Sequence, residues 1–260
     1  MSALEIILIF VAGIGAGTIN AVVGSGTLIT FPTLVAFGYP PVIATMSNAV
    51  GQIPGGVSAS FGYRKELAGQ WPRIKQLMPA SLLGAITGAW LLLHLPQTVF
   101  EIIVPILLVF ALVLVVTQPW IQKTVRRRKE AKGLDLAVMS RRQTVLLIIA
   151  TFLIGVYGGY FTAAQGVLFV GVAGAMLPDS LQRVNGLKNV LTLAVNVVAA
   201  AAYVIVAHDR IQWAAAGLIA AGTLIGGFLG SSVGRKLPAP VLRGIIVVLG
   251  CVAIWRLLAS

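Results

Sequence analysis

Long runs of apolar residues dominate the chain, and short polar stretches separate them. A helix needs about 20 residues to cross the roughly 30 Å hydrocarbon core of a bilayer. Most of the runs have that length, so the pattern predicts an all-α membrane protein that crosses the bilayer many times. The ten predicted segments are residues 3–22, 26–38, 41–62, 74–94, 98–118, 143–164, 166–177, 181–206, 212–234 and 239–258.

Two of these segments, 26–38 and 166–177, are too short to cross the membrane. At about 1.5 Å per residue they would span only about 18–20 Å. Each follows a glycine-rich break, at residues 24–26 in one case and 158–166 in the other. We therefore predict two half-length helices that begin within the membrane.

The composition agrees with this class and excludes others. Of 260 residues, 58% are apolar and 10% are charged, which does not fit a soluble enzyme, a disordered chain or a disulfide scaffold. The net charge of +12 would indicate nucleic-acid binding in a soluble protein. Here the basic residues fall between apolar segments, so they indicate membrane topology instead, and no nucleic-acid partner is expected.

The two halves of the chain repeat each other weakly but in order. The matching pairs are Ile14-Gly15 with Ile154-Gly155, residues 26–28 with 166–168, Gln70-Trp71 with Gln212-Trp213, and Gly84 and Gly88 with Gly226 and Gly230. This predicts a first transmembrane repeat at 1–118, a basic linker at 119–142 and a second repeat at 143–260. Five segments per repeat is an odd number, so the second repeat would be inverted in the membrane.

The charges of the loops support inverted repeats. Loop 64–75 is rich in Lys and Arg, whereas its counterpart near 206–213 is not. Loop 94–98 has neither residue type, whereas its counterpart contains Arg235-Lys236. By the positive-inside rule, loops 64–75, 119–142 and 235–238 are predicted to be cytoplasmic, with both termini on the other side.

The two breaks are the first candidate site. Half-length helices in matching positions of inverted repeats indicate a binding site near the bilayer midplane. Because helix N-termini attract anions, we expect the backbone N–H groups of Gly26 and Gly166 to hold anionic oxygens. Ser25, Thr27 and Gln165 would donate further hydrogen bonds. The alternative is that the glycines of the two breaks only allow close helix packing. Close packing is also our interpretation of a separate set of glycines, spaced every four residues: Gly222, Gly226, Gly230 and Gly234.

A polar stripe in an apolar segment is the second candidate. At helical spacing, one face would present Asn185, Lys188, Asn189, Thr192 and Asn196. A lysine in such a segment is costly and is a functional hypothesis by default. Lys188 would supply a counter-charge, unless it extends to the cytoplasmic interface. The matching stretch in the first repeat is uncharged and includes Asn48. With Asn185 and Asn189, Asn48 would orient a ligand or satisfy the broken backbone.

Other chemistry finds little support in the sequence. The two His, the single Cys251 and the acids form no cluster at metal-ligand spacing, so neither a metal nor a cofactor is expected. No Ser-His-Asp arrangement is placed for acyl transfer. No carboxylate lies in the middle of a segment, where it would relay protons. We therefore predict that the protein is not an enzyme.

The same residues resemble a known family. Residues 24–32 (GSGTLITFP), 44–48 (ATMSN) and 62–64 (GYR) are similar to the first-half signature of the sulfite exporter TauE/SafE family. Residues 155–161 (GVYGGYF) and 185–189 (NGLKN) resemble its second-half signature. The resemblance implies a multi-helix transporter with inverted repeats in the inner membrane of bacteria or archaea. It also implies export of sulfite or small organosulfonates. This chain has residues 162–166 (TAAQG) where the family often has a further glycine-rich stretch.

Together these observations predict an inner-membrane transporter that exports a small anion by alternating access. The anion class follows from the helix N-termini and Lys188, whereas sulfite or an organosulfonate follows only from the resemblance. An uptake or exchange carrier for another small solute remains an alternative, and so does a membrane scaffold. The expected partners are the anionic substrate and the lipid bilayer. The sequence leaves the oligomeric state open, with a homodimer as one alternative.

Overall fold

The structure is a computed structural model that describes residues 1–131, 139–232 and 239–259. Within these ranges the chain forms eleven α-helices and no β-strand. The helices are α1 (Ala3–Val22), α2 (Thr27–Ala36), α3 (Pro41–Gly51), α4 (Ile53–Gly62), α5 (Trp71–His94), α6 (Gln97–Ala131), α7 (Arg141–Tyr160), α8 (Gln165–Met176), α9 (Leu181–Ala207), α10 (Trp213–Ser232) and α11 (Ala239–Ala259).

The all-α membrane prediction is confirmed, as are the two short helices. In the described part of the chain, six helices are long and apolar enough to cross a bilayer: α1, α5, α6, α7, α9 and α10. Helix α2 has 10 residues and α8 has 12, so neither reaches the length that a crossing needs.

The segment predicted at 41–62 is two helices rather than one. Helix α3 ends and α4 begins on either side of Gln52. Pro54 lies two residues after Gln52, and a proline has no N–H to donate to the carbonyl of Val50 and collides with it sterically. The helix therefore breaks here, and the break leaves the Gln52 side chain buried inside the protein.

Helix α6 is longer than the apolar run that predicts it. It continues from Gln97 to Ala131, so the first part of the region predicted as a linker is helical. Its polar end is rich in Gln, Lys, Arg and Glu, which are good helix formers, and nothing stops the helix at the membrane boundary. The rest of the linker to residue 138 and the predicted loop at 235–238 lie outside the described residues.

Helix α6 has one apolar face that is exposed in the part of the chain that the structure describes. Ile102, Ile106, Val109, Val113 and Val116 recur every three or four residues and are all exposed. The opposite face packs into the core and contains Val104, Leu108, Ala111 and Val115, all fully buried. A helix that is apolar on both its buried and its exposed sides is typical of a membrane protein, so the exposed face is the one that contacts lipid.

Glycines allow close packing between helices of the two halves. Helix α1 packs on α10, and a Cβ on Gly222 would lie 2.8 Å from the backbone nitrogen of Ile14. Helix α5 packs on α7 in the same manner, and a Cβ on Gly84 would lie 2.9 Å from the Cα of Gly155. Gly226 and Gly230 also face α1, which confirms the packing interpretation for these glycines, whereas Gly234 lies outside the described residues.

Two more pairs of helix contacts resemble each other. Helix α4 packs on α10 and α5 packs on α9, while α2 packs on α11 and α6 packs on α8. Helix α9, with its polar stripe, contacts α3, α4, α5, α7 and α8 and lies at the centre of the bundle.

Candidate functional site

The two breaks in the helices lie in direct contact. The N–H of Gly166 donates a hydrogen bond of 3.1 Å to the carbonyl oxygen of Gly24. A Cβ on either glycine would lie 2.5 Å from the Cα of the other, so only glycine fits at both positions. Helices α2 and α8 therefore begin next to each other, although some 140 residues separate them in sequence.

The two breaks have unusual backbone conformations. Gly24 has a φ of +87°, which glycine adopts freely. In the second break, Thr162 has a φ of +69° and Ala164 a φ of +56°, although both residues have a Cβ. Left-handed backbone is costly for such residues, and strain of this kind concentrates at functional sites. The second break thus has, at Thr162 and Ala164, the backbone conformation that glycine adopts most easily.

Lys188 of α9 is fully buried beside the breaks. Its Nζ donates hydrogen bonds to the carbonyl oxygens of Asn20 at 2.7 Å and Ala21 at 3.2 Å. Asn189 Nδ2 donates to the same Ala21 oxygen at 3.4 Å. These carbonyls end α1, where the helix dipole is negative and favours a cation. The alternative that Lys188 extends to the membrane interface is wrong, because its side chain is 0% exposed.

The charge of Lys188 has no acidic partner in the described part of the chain. The ion pairs found there join Glu5 to the N-terminus and Asp179 to Arg73 and Arg183. Lys188 is also the one charged side chain among the buried residues that the structure describes. Burying a lysine ammonium without a counter-charge is strongly unfavourable, and here the two carbonyl oxygens at the end of α1 are its partners.

A buried polar network fixes side chains of α2, α3 and the α3–α4 break. Asn48 Nδ2 donates to Thr27 Oγ1 at 3.1 Å, and Thr30 Oγ1 donates to Asn48 Oδ1. Gln52 Nε2 donates to Thr30 Oγ1 and Asn48 Oδ1, both at 3.3 Å. Asn48 thus holds the first turn of α2 and the side chain of Gln52 in place from behind.

A small cavity lies between the two breaks. It measures about 10 Å³ for the centre of a water-sized sphere, which is on the order of one water molecule. Lys188 is outside its lining but packs beside two of the lining glycines: its Cδ would be 3.1 Å from a Cβ on Gly24 and 2.9 Å from one on Gly166. The lining residues are Asn20, Gly24, Thr27, Gln52, Thr162, Gln165, Gly166, Thr192 and Asn196.

Three of the nine predicted site residues line this cavity, and six do not. Thr27, Gln165 and Gly166 line it. The other six are outside its lining: Ser25, Gly26, Asn48, Asn185, Lys188 and Asn189. The N–H of Gly166 already donates to Gly24, so a ligand would have to replace that bond.

Asn20 and Gln52 line the cavity but were not among the predicted site residues. Asn20 is a polar residue in the last turn of an apolar helix, directly before a glycine-rich break. Gln52 precedes a proline within an apolar run, and both signals could have been used. Asn196 was noted as part of the polar stripe without a role, and the structure places it at the cavity.

A second polar cluster joins the two halves away from the breaks. Asp179, before α9, forms ion pairs with Arg73 of α5 and, at 2.9 Å, with Arg183 Nε of α9. Arg183 also donates to the carbonyl oxygen of Ala68, and Gln70 Nε2 donates to the carbonyl oxygen of Arg183 at 2.8 Å. The α4–α5 loop is thereby tied to the start of α9.

The chain is similar over nearly its whole length to proteins named as probable membrane transporters. The chain is 24% identical over 252 residues to the probable membrane transporter protein YfcA of Escherichia coli K12, covering 97% of this chain and 88% of that protein. It is 23% identical over 242 residues to a probable membrane transporter protein of Haemophilus influenzae, covering 93% and 90%. No solved structure matches the chain significantly.

The family match covers nearly the whole chain. Residues 9–257 match the sulfite exporter TauE/SafE family, so the chain belongs to that family, and the resemblance found in the motifs is confirmed. The described ranges contain six apolar helices of membrane-spanning length, so the protein is a multi-pass membrane transporter.

Proposed function

We propose that the protein exports a small anion, sulfite or an organosulfonate, across the inner membrane. The observation that supports the anion class is Lys188, which is fully buried beside Gly24 and Gly166 and has no acidic partner in the described residues. A bound anion would supply the missing counter-charge. The sulfur chemistry comes from the family to which the chain belongs.

In this proposal the two breaks bind the substrate. Helices α2 and α8 would direct the partial positive charge of their N-termini at the anion, with N–H groups near Gly26 and Gly166 as donors. Thr27 and Gln165 would contribute side-chain donors, with Ser25 beside them. Asn48 would hold Thr27 in position, and Asn185 and Asn189 would support the broken backbone. Lys188 would provide the counter-charge.

Transport would occur by alternating access of two inverted repeats. The reciprocal helix contacts support this, because α1 on α10 and α5 on α7 are the pairs that exchange under such symmetry. The small size of the cavity, about 10 Å³, also supports it, since the two halves would have to separate to admit a substrate. The basic loop 64–75 and the basic linker would then face the cytoplasm.

Electrostatics favours the outward direction. An anion leaving a cell with a negative interior gains about 2.3 kcal/mol per 100 mV without a coupled ion. In the described membrane-spanning helices no buried carboxylate is available to relay protons. Uptake or exchange of another small solute is the alternative that the same site would allow.

Sulfite efflux from proteoliposomes tests this proposal. We expect efflux to increase when a potential negative inside the vesicle is imposed, and to be lost in Lys188→Met. Lys65→Met is the matched control, because Lys65 is an exposed loop lysine and should leave efflux unchanged. Efflux that ignores the potential, or that survives Lys188→Met at the control rate, would contradict the proposal.

A further inference from the structure

A cleft of about 470 Å³ lies between the α4–α5 loop and the start of α9. Its volume lies in the range of small-molecule sites, roughly 300–1,000 Å³. No described residue lines both this cleft and the cavity between the two breaks. The cleft is therefore separate from the candidate site described above, and the proposed transport mechanism does not use it.

Two arginines and one aspartate are the charged residues that line the cleft. Arg73 Nη1 donates to Asp179 Oδ2, and Arg183 Nε donates to Asp179 Oδ1 at 2.9 Å. The two guanidinium groups therefore converge on the two oxygens of one carboxylate. Glu66, the acid of the α4–α5 loop, is not part of the lining. Among the described residues that line the cleft, two positive charges thus face one negative charge.

Each arginine still has N–H groups without an acceptor in the described part of the chain. Arg73 bonds there only through Nη1, which leaves its Nε and Nη2 groups. Arg183 bonds through Nε and, to a backbone carbonyl, through Nη1, which leaves its Nη2 group. The side chains of Arg73 and Arg183 are 26% and 34% exposed, so a ligand in the cleft can reach them. A guanidinium group presents its five donors in a rigid plane that matches the oxygens of a phosphate or carboxylate group.

The positions of the two arginines in their helices are unfavourable unless an anion is near. Arg73 is the third residue of α5 and Arg183 is the third residue of α9, and neither helix has an acid in its first turn. The N-terminus of a helix carries a partial positive charge, which disfavours a cation and favours an anion. Both helices thus add positive potential at a cleft whose charged side chains already have a positive excess.

We infer that this cleft is an anion site, which binds a phosphate- or sulfate-type oxyanion between Arg73 and Arg183. The carboxylate of Asp179 bonds to the same two groups, so Asp179 competes with the ligand. The oxyanion is either a solute or the phosphate of a lipid headgroup, because α5, which begins at the cleft, is a helix of membrane-spanning length. This inference does not depend on the proposed transport of an anion.

Inorganic phosphate is the probe for a solute. The unfolding temperature of the full chain in detergent is measured against phosphate concentration, and potassium chloride keeps the ionic strength constant. We expect phosphate to stabilise the wild type, with an affinity that falls about tenfold in Arg73→Gln and in Arg183→Gln, the effect of losing one charge-assisted hydrogen bond. Arg64→Gln is the matched control, because Arg64 is an exposed arginine outside the cleft lining, and its phosphate response should equal that of the wild type.

Asp179→Asn separates a binding site from an ion-pair cluster that only holds the loop. The substitution removes the competing carboxylate and its negative charge, so we expect phosphate to bind several-fold more tightly than to the wild type. If the cluster only held the loop to α9, this variant would unfold at a lower temperature with an unchanged phosphate affinity. Unchanged or weaker phosphate binding in Asp179→Asn would therefore overturn the inference.

Phosphatidylglycerol is the probe for a lipid headgroup. The protein is reconstituted in vesicles that contain phosphatidylcholine and phosphatidylglycerol in equal amounts, and native mass spectrometry then identifies the lipids that stay bound in detergent. Phosphatidylglycerol that is retained by the wild type and by Arg64→Gln, but lost from Arg73→Gln and Arg183→Gln, supports a lipid in the cleft. A phosphate response with the same pattern among the variants supports a solute.

Two outcomes would contradict a site in the cleft. The first is that neither phosphate nor phosphatidylglycerol distinguishes the two cleft arginine variants from Arg64→Gln. The second concerns Lys188→Met, which should keep the phosphate response because Lys188 does not line the cleft. A phosphate response that is lost in Lys188→Met and kept in both cleft arginine variants would locate the anion between the two breaks instead.

Discussion

Replacing Gly24 by alanine tests the contact between the two breaks. The new methyl group would lie 2.5 Å from the Cα and 2.8 Å from the carbonyl carbon of Gly166, so the backbone must shift. Gly24 also has a φ of +87°, at which alanine is strained. The shift would weaken the hydrogen bond from the Gly166 N–H to the Gly24 carbonyl oxygen.

Gly38→Ala is a matched control that separates these effects. Gly38 has a φ of +86°, almost equal to that of Gly24, but a Cβ there would meet nothing within 4 Å. Both variants therefore suffer the left-handed backbone penalty of about 1–2 kcal/mol. Gly24→Ala adds about 1–3 kcal/mol for overpacking and about 1 kcal/mol for the weakened hydrogen bond. We expect it to lower the free energy of unfolding by about 2–4 kcal/mol more than the control.

Unfolding in mixed micelles with increasing SDS measures this difference. The wild type, Gly24→Ala and Gly38→Ala are compared at the same detergent ratio, with loss of helix followed by circular dichroism. If Gly24→Ala is no less stable than Gly38→Ala, the two breaks do not touch, and a shared site between them is refuted.

Two further predictions concern the second break and the polar cluster. Ala164→Gly should be neutral or should stabilise the protein by up to about 1 kcal/mol in the same SDS titration, because glycine relieves the strain of the positive φ. A clear loss of stability would show that the residue is not in that conformation. Asp179→Asn should lower the free energy of unfolding by about 1 kcal/mol. A double-mutant cycle with Arg73→Gln should show a coupling of at least about 0.5 kcal/mol, and strict additivity would contradict the ion pair.

The hydrophobic pattern predicted the long helices well because a membrane helix is specified by length and composition alone. The two short helices could also be predicted, since a run of residues such as 166–177 cannot cross a bilayer. The place of Lys188 on a polar stripe within an apolar segment indicated either a buried site residue or a lysine that extends to the interface, and its burial favours the first. These features depend on residues that are close in sequence, so they can be predicted without knowledge of the tertiary structure.

Contacts that depend on tertiary packing could not be predicted in this way. That Gly24 meets Gly166, and that Lys188 donates to the last carbonyls of α1, depends on how distant segments are arranged. The helix break at Gln52 was missed because the run 41–62 was judged by its hydropathy, although Pro54 was a visible signal. Sequence analysis predicted that Lys188 supplies a counter-charge; that its Nζ bonds to Asn20 and Ala21 outside the cavity lining depends on tertiary packing.

Binding of sulfite to wild type and Lys188→Met is the most direct test of the central claim. That claim is that the two breaks and one buried cation form a single anion site. We predict that sulfite raises the unfolding temperature of the wild type and of the exposed-lysine control Lys65→Met, and leaves that of Lys188→Met unchanged. Equal sulfite-induced stabilisation in all three proteins would contradict the claim.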